Sequence, residues 1–121
     1  MLPAGTRSTR EIAPILRQFE VALLQELGYA LLLQHEAGSN QPIDAAVNYR
    51  YVIERGAMRD GENAIEGMPI VGKTLLDMAA DDYRDAVSAQ QSKQLMRVLL
   101  NHYLAGKILH TRELIKDLQK L

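Results

Sequence analysis

Leu16-Arg17-Gln18-Phe19-Glu20-Val21-Ala22-Leu23-Leu24-Gln25-Glu26-Leu27-Gly28-Tyr29 is the stretch that decides the fold. Ile15, Leu16, Phe19, Ala22, Leu23 and Leu27 recur at the i, i+3, i+4, i+7 spacing of an amphipathic helix. Val21 and Leu24 widen that stripe until little beyond Arg17, Gln18, Glu20, Gln25 and Glu26 is polar. A circumference so apolar predicts a helix central to its domain. Gly28 then supplies the left-handed turn that closes it. Upstream, Ser8-x-x-Glu11 has the form of a capping box. Pro14 would fall inside a helix begun there and remove a backbone bond. The main helix is therefore expected to start at Pro14, where the missing N–H costs nothing. Residues 1–13 become an arm or the remnant of an upstream helix, and residues 14–121 the domain.

Working outward, Gly38, Ser39, Asn40 and Pro42 mark a loop. Val47, Tyr49, Tyr51 and Ile53 then alternate with Asn48, Arg50 and Val52, a period of two rich in strand formers. Arg55-Gly56 turns the chain into a return strand near Ala57-Met58, and Gly61 and Ile65 leave room for a small meander. From Met68 onward a helical pattern is expected to return, with Leu75, Leu76, Met78 and Ala79 forming a short helix closed by Asp81-Asp82. The next helix should begin between Asp85 and Ser88, with Ser88-x-x-Gln91 as its capping box. Leu95, Met96, Leu99, Leu100, Tyr103 and Leu104 give its buried stripe, Gly106 ends it, and Ile108 to Leu118 form a final helix. The predicted class is mostly α, a bundle-like helical domain with a small β-hairpin.

The chain has 121 residues, enough for one domain with a real core. Its 47% hydrophobic and 24% charged residues are a globular balance, not a disordered one. No apolar run approaches the roughly 18 residues that span a bilayer, and no secretory signal opens the sequence. The absence of cysteine excludes disulfides and thiolate metal sites. A net charge of -1 hides an asymmetry. From Lys93 to Leu121 six Lys/Arg face two acids, whereas from Glu54 to Asp85 four face eight. Such a basic end permits an anionic partner on one face; the alternative is two solvated faces of opposite sign.

Near the C-terminus runs Leu104-Ala105-Gly106-Lys107-Ile108-Leu109-His110-Thr111-Arg112-Glu113-Leu114. With the opening stretch, this segment resembles the two ends of the C-terminal helical domain of the RecO family of bacterial recombination mediators. There the first segment reads about LRxFExxLLxxLGY and the second about LGGKxLKSREL. The second departs here at Ala105, Ile108, His110 and Thr111. The resemblance runs from about Pro14 to the C-terminus, and nothing resembles the family's N-terminal oligonucleotide-binding barrel. It implies a binding protein of gap repair, not an enzyme, cytoplasmic and nucleoid-associated. Such a protein binds single-stranded and double-stranded DNA, anneals strands, and loads RecA together with RecR. It also contacts the acidic C-terminal tail of the single-stranded-DNA-binding protein. Many RecO-like proteins hold zinc on four cysteines between the first helix and the strands. Here that region reads Leu33-Gln34-His35-Glu36-Ala37-Gly38-Ser39-Asn40-Gln41-Pro42, so zinc is not carried over and no cofactor is expected.

The candidate DNA surface is Lys93, Arg97, Lys107, Arg112 and Lys116, cations able to contact phosphates without reading sequence. His110 stands where the family pattern has lysine, which weakens this patch near neutral pH. The candidate peptide surface is Arg17 with Val21 and Leu24, a basic rim on an apolar groove. Its alternative is an arginine ion-paired with Glu20 or Glu26. Gly67-Met68-Pro69-Ile70-Val71-Gly72-Lys73-Thr74 formally matches the phosphate-binding pattern G-x-x-x-x-G-K-[ST]. That motif needs a buried parallel strand before it, and Asp60 to Glu66 are polar and glycine-broken. Asp81, Asp82 and Asp85 read as acids favoured at a helix start. His35, His102 and His110 are too dispersed for a metal site. The competing function is a helical interaction module without DNA binding. The long apolar helix further predicts a two-fold dimer burying part of the Phe19, Leu23 and Leu27 face.

Overall fold

The computed structural model describes residues 9–29, 31–61, 66–104, 116–117 and 119–120. In chain order they form α1 (Thr9–Glu26), β1 (Asn48–Val52), β2 (Gly56–Arg59), β3 (Met68–Val71), α2 (Gly72–Ala79) and α3 (Ala86–Leu104). Gly106 and most of the expected last helix lie outside the described residues, as do Ser8 and the side chain of Glu11.

Among the described residues, three helices and a three-stranded antiparallel sheet agree in part with the expected helical domain: the small sheet is there, with one strand more than a hairpin. α1 does not break at Ala13: it starts at Thr9 and runs through Pro14. The proline removes a single bond, to the carbonyl one turn back, at a cost of about 3 kcal/mol. Twelve helical residues beyond it, with their packing, outweigh that loss. The helix closes as expected, with Gly28 at a φ of 90°.

The buried face of α1 is not the expected one. Arg17, Glu20, Val21 and Leu24 are buried, whereas Ile15, Phe19 and Leu27 are about half exposed. A helix apolar nearly all round has no single stripe for periodicity to find. The inward choice falls on a face whose two charges neutralise each other, with Arg17 Nε 2.6 Å from Glu20 Oε1. α1 packs on α3, and α3 on α2. Between them lie Val21, Leu24, Leu75, Met78, Leu95, Met96, Leu99 and Leu100.

The sheet order is β2-β1-β3, so β1 is central and the chain does not meander. Arg50 of β1 pairs with Met58 on one side and Pro69 on the other. β3 occupies residues that were expected to be helical. Met68 and Ile70 alternate with Pro69 and Val71, and Pro69 is tolerated because β3 is an edge strand. The chain passes straight from β3 into α2 at Gly72. A Cβ there would overlap the Asp44 carbonyl oxygen, so glycine is required.

α3 is capped by Asp85, not Ser88: the Asp85 carboxylate accepts the Ser88 N–H at 3.0 Å. Ser88, fully buried, instead donates its hydroxyl to Asp77 at 2.6 Å. Gln91 accepts from the Val71 N–H and the Thr74 hydroxyl, fastening β3 and α2 to α3. Both capping-box residues thus serve tertiary contacts.

The alternation of β1 turns Tyr49 and Tyr51 inward, and both hydroxyls grip the preceding loop. Tyr51 accepts the Leu32 N–H at 3.1 Å, and Tyr49 the Asp44 N–H at 3.0 Å. Tyr49 in turn donates to the buried Glu36 carboxylate at 2.8 Å. Ser39 and Arg59 donate to the same carboxylate at 2.9 and 2.8 Å. Burial pulls the Glu36 carboxyl up, but these three donors outweigh it and hold it below the usual range. In a segment without thiolates, one carboxylate joins the loop to two strands.

Candidate DNA and peptide interface

A groove of about 1290 Å³ opens between the first half of α1, the α2–α3 connection and one wall of α3. Arg17 lines it from α1, Tyr83 and Arg84 from the connection, and Lys93 and Arg97 from α3. Lys93 and Arg97 share a wall because they lie four apart on one helix. Arg97 also donates to the Gln119 carbonyl at 3.3 Å, which ties Gln119 to α3. Two of the five expected DNA contacts, Lys93 and Arg97, are therefore brought together on one wall, and Lys116 is exposed. Lys107 and Arg112 lie outside the described residues.

The expected peptide surface is not laid out as its residues suggested. Val21 and Leu24 are 8% and 0% exposed and belong to the core, so they offer no apolar floor to a ligand. Their burial follows from α1 turning that face to α3. Arg17 is 2% exposed and ion-paired with Glu20, yet it forms part of the groove wall. Burial drives the Glu20 carboxyl up, against the opposing pull of Arg17, Gln119 and Lys93. Sequence reasoning missed Tyr83, a buried phenol set among Asp81, Asp82, Arg84 and Asp85. A lone aromatic in a charged run was the available signal.

Two other motifs resolve into structure. In Gly67–Thr74 the residues that would cradle a phosphate form an extended strand of an antiparallel sheet. The N–H groups of Gly72 and Lys73 already donate to the carbonyls of Val47 and Ala45, at 2.8 and 3.2 Å. Thr74 is fully buried and bonded to Gln91, and Lys73 is paired with Asp77 at 2.6 Å. This segment cannot hold a nucleotide phosphate. Asp82 pairs with Arg84 at 2.9 Å, whose hydrogen bonds push its carboxyl down to about 2. With Asp85 capping α3, these acids shape a helix junction.

His102 sits 3.6 Å from Glu54 and edge-on to Tyr103. Among the described residues no three His, Cys, Asp or Glu side chains are grouped to hold a metal ion. No described helix is long and apolar enough to cross a membrane.

A family model for the C-terminal part of recombination protein O matches residues 6–113. It spans the point where the N-terminal arm was expected to end. The chain is 49% identical over 113 residues to the DNA repair protein RecO of Aromatoleum aromaticum, covering 92% of the chain and 46% of that relative. It is 49% identical over 109 residues to the RecO protein of Nitrosospira multiformis, covering 89% and 45%. Against that of Azoarcus sp. the identity is 46% over 111 residues, with coverage of 89% and 46%. The chain belongs to the RecO family, and it spans a little under half the length of these relatives. That membership supports a role in DNA repair.

Proposed function

We propose that this chain is the DNA- and partner-contacting helical domain of a recombination mediator. It binds single-stranded and duplex DNA through Lys93, Arg97 and Lys116, together with Lys107 and Arg112. It takes the acidic tail of the single-stranded-DNA-binding protein in the groove beside Arg17. Strand annealing and RecA loading with RecR, in the cytoplasm at the nucleoid, belong to the same reading. The observation that carries it is a basic wall on α3, in a chain whose relatives are DNA repair proteins. Each step is binding and none breaks a covalent bond.

The test is a titration with single-stranded DNA over a range of salt. Lys93→Gln with Arg97→Gln is expected to lower affinity about tenfold near 0.1 M salt. The slope of log affinity against log salt should shrink by about two, one per lost phosphate contact. An unchanged slope would assign these charges to a solvated face.

A second reading, a helical interaction module, is favoured by one observation. Ile15, Phe19 and Leu27 are 51%, 52% and 48% exposed along one side of α1. Exposed apolar surface of this kind marks an association site. The isolated chain is expected to form a two-fold dimer through this face. Phe19→Lys should yield a monomer that melts within a few degrees of the unmodified chain, since half of that ring already meets water. Light scattering that finds the unmodified chain monomeric at high concentration removes this reading.

A further inference from the structure

The closing ends of α1 and α3 meet in an aromatic contact that lies outside the groove. Tyr29, just past the Gly28 turn, lies against Tyr103 in the last turn of α3. Their ring centroids are 4.2 Å apart and their planes 17° from parallel. His102 stands edge-on to Tyr103 at 5.0 Å and 81°. The Tyr103 hydroxyl is bonded to the Glu54 backbone, and His102 Nε2 lies 3.6 Å from the Glu54 carboxylate. The β1–β2 turn thus holds the cluster from the sheet side. Tyr49, Tyr51 and Tyr83 are buried. Tyr29 and Tyr103 instead pack only partly on the core and keep some of their surface in water, and His102 is exposed.

Such a cluster suits a flat π-surface. Aromatic rings prefer to stack, and this pair already presents that geometry. A planar group added to it need not order the rings, because they order each other. Nucleobases are the planar groups of the polymer that the chain's cations suit. Lys93 and Arg97 precede Tyr103 on the same helix, and Lys107 and Arg112 follow it in sequence. Proteins that hold single strands combine cations along the backbone with side chains on which bases stack. Glu54 disfavours a phosphate at the cluster itself, so the base and not the backbone is what the rings receive. In a duplex each base is covered on both faces by its neighbours, so only an unpaired base has a face to offer.

We propose that the Tyr29–Tyr103 stack, bordered by His102, receives an unpaired base of single-stranded DNA and makes this domain prefer single strands to duplex. This rests on the reading that the chain binds DNA, and it adds an uncharged contact to those that Lys93 and Arg97 make with phosphates. Every base has a π-face, so the site accepts any base.

The experiment uses the full chain and a labelled oligonucleotide carrying iododeoxyuridine in place of thymidine, single-stranded and as a duplex. Irradiation is expected to cross-link the single strand, and not the duplex, to Tyr29, His102 or Tyr103, read by mass spectrometry of the digest. In anisotropy titrations Tyr29→Leu should lower affinity for the single strand about fivefold or more and leave that for the duplex within about twofold. The salt slope should stay unchanged, because no charge is lost. Tyr29→Phe keeps the ring and should keep the affinity. If Tyr29→Leu fails to fold, the position of the cross-link on the unmodified chain decides. Cross-links confined to other residues, or a folded Tyr29→Leu chain that keeps its single-strand preference, overturn the stacking site and leave the DNA reading intact. Failure of the unmodified chain to bind either form of DNA overturns both.

Discussion

Glu20→Ala is expected to cost the fold about 3–5 kcal/mol, because it leaves the Arg17 guanidinium buried without its counter-charge. Arg17 is 2% and Glu20 5% exposed, and Arg17 Nε, Arg17 Nη2 and Glu20 Oε1 already lack hydrogen bonds. A buried pair so poorly satisfied does not stabilise the fold relative to apolar side chains of similar size. Arg17→Met combined with Glu20→Leu is therefore expected to be about as stable as the unmodified chain, or more stable. Urea denaturation of both single variants and the double variant checks this as a cycle. Single substitutions costing less than about 1 kcal/mol would show that water reaches the pair.

The acid limb of the stability profile carries a second signature. The Glu20 carboxyl is held above its unfolded value near 4.5, so folding takes up a proton there. The stability linked to that proton is present at low pH and lost as pH rises through the folded value.

How much of this was legible in the sequence varies by element. α3 was plain, because Leu95, Met96, Leu99 and Leu100 form one stripe with polar residues opposite. β1 was plain from its alternation. α1 as a helix was clear but its buried face was not. Periodicity finds the apolar side of a helix, and a helix apolar all round has no unique one. The inward turn of Arg17 and Glu20 depends on α3 and on residues near Gln119, which no local pattern contains. β3 was missed because four residues with a proline at their centre read as a helix approach. Their pairing partner, β1, lies some twenty residues upstream. The cations on α3 were legible as an i, i+4 pair. The Tyr83 hydroxyl was not, since its burial, with no hydrogen-bond partner among the described residues, follows from the enclosing fold.

Glu36→Ala is the other substitution with a large expected effect. Three donors from a loop and two strands converge on this carboxylate, at 2.8–2.9 Å. Hydrogen bonds to a charged group contribute about 1.5–3 kcal/mol each, but these share one acceptor and Arg59 is partly solvated, so they do not sum. A net loss of about 3 kcal/mol is expected, read as a melting temperature roughly 10 °C lower. The loss should be local at first, because the parallel bridge from Glu36 to Ala57 and the Ala37 N–H bond to the Ala57 carbonyl hang on the same loop. Amide exchange in residues 34–44 should therefore rise before the helices open. The pH dependence has the opposite sign to that of Glu20. The folded Glu36 carboxyl titrates below its unfolded value near 4.5, so its contribution is complete above that pH and lost as pH falls through the lower folded value. Glu36→Gln keeps the shape but offers an amide nitrogen where an acceptor is needed, so it should lose this acid-dependent step and part of the stability at pH 7. A Glu36→Gln chain with unchanged melting temperature and an unchanged acid limb would mean the loop is held by its backbone bonds and the tyrosines alone.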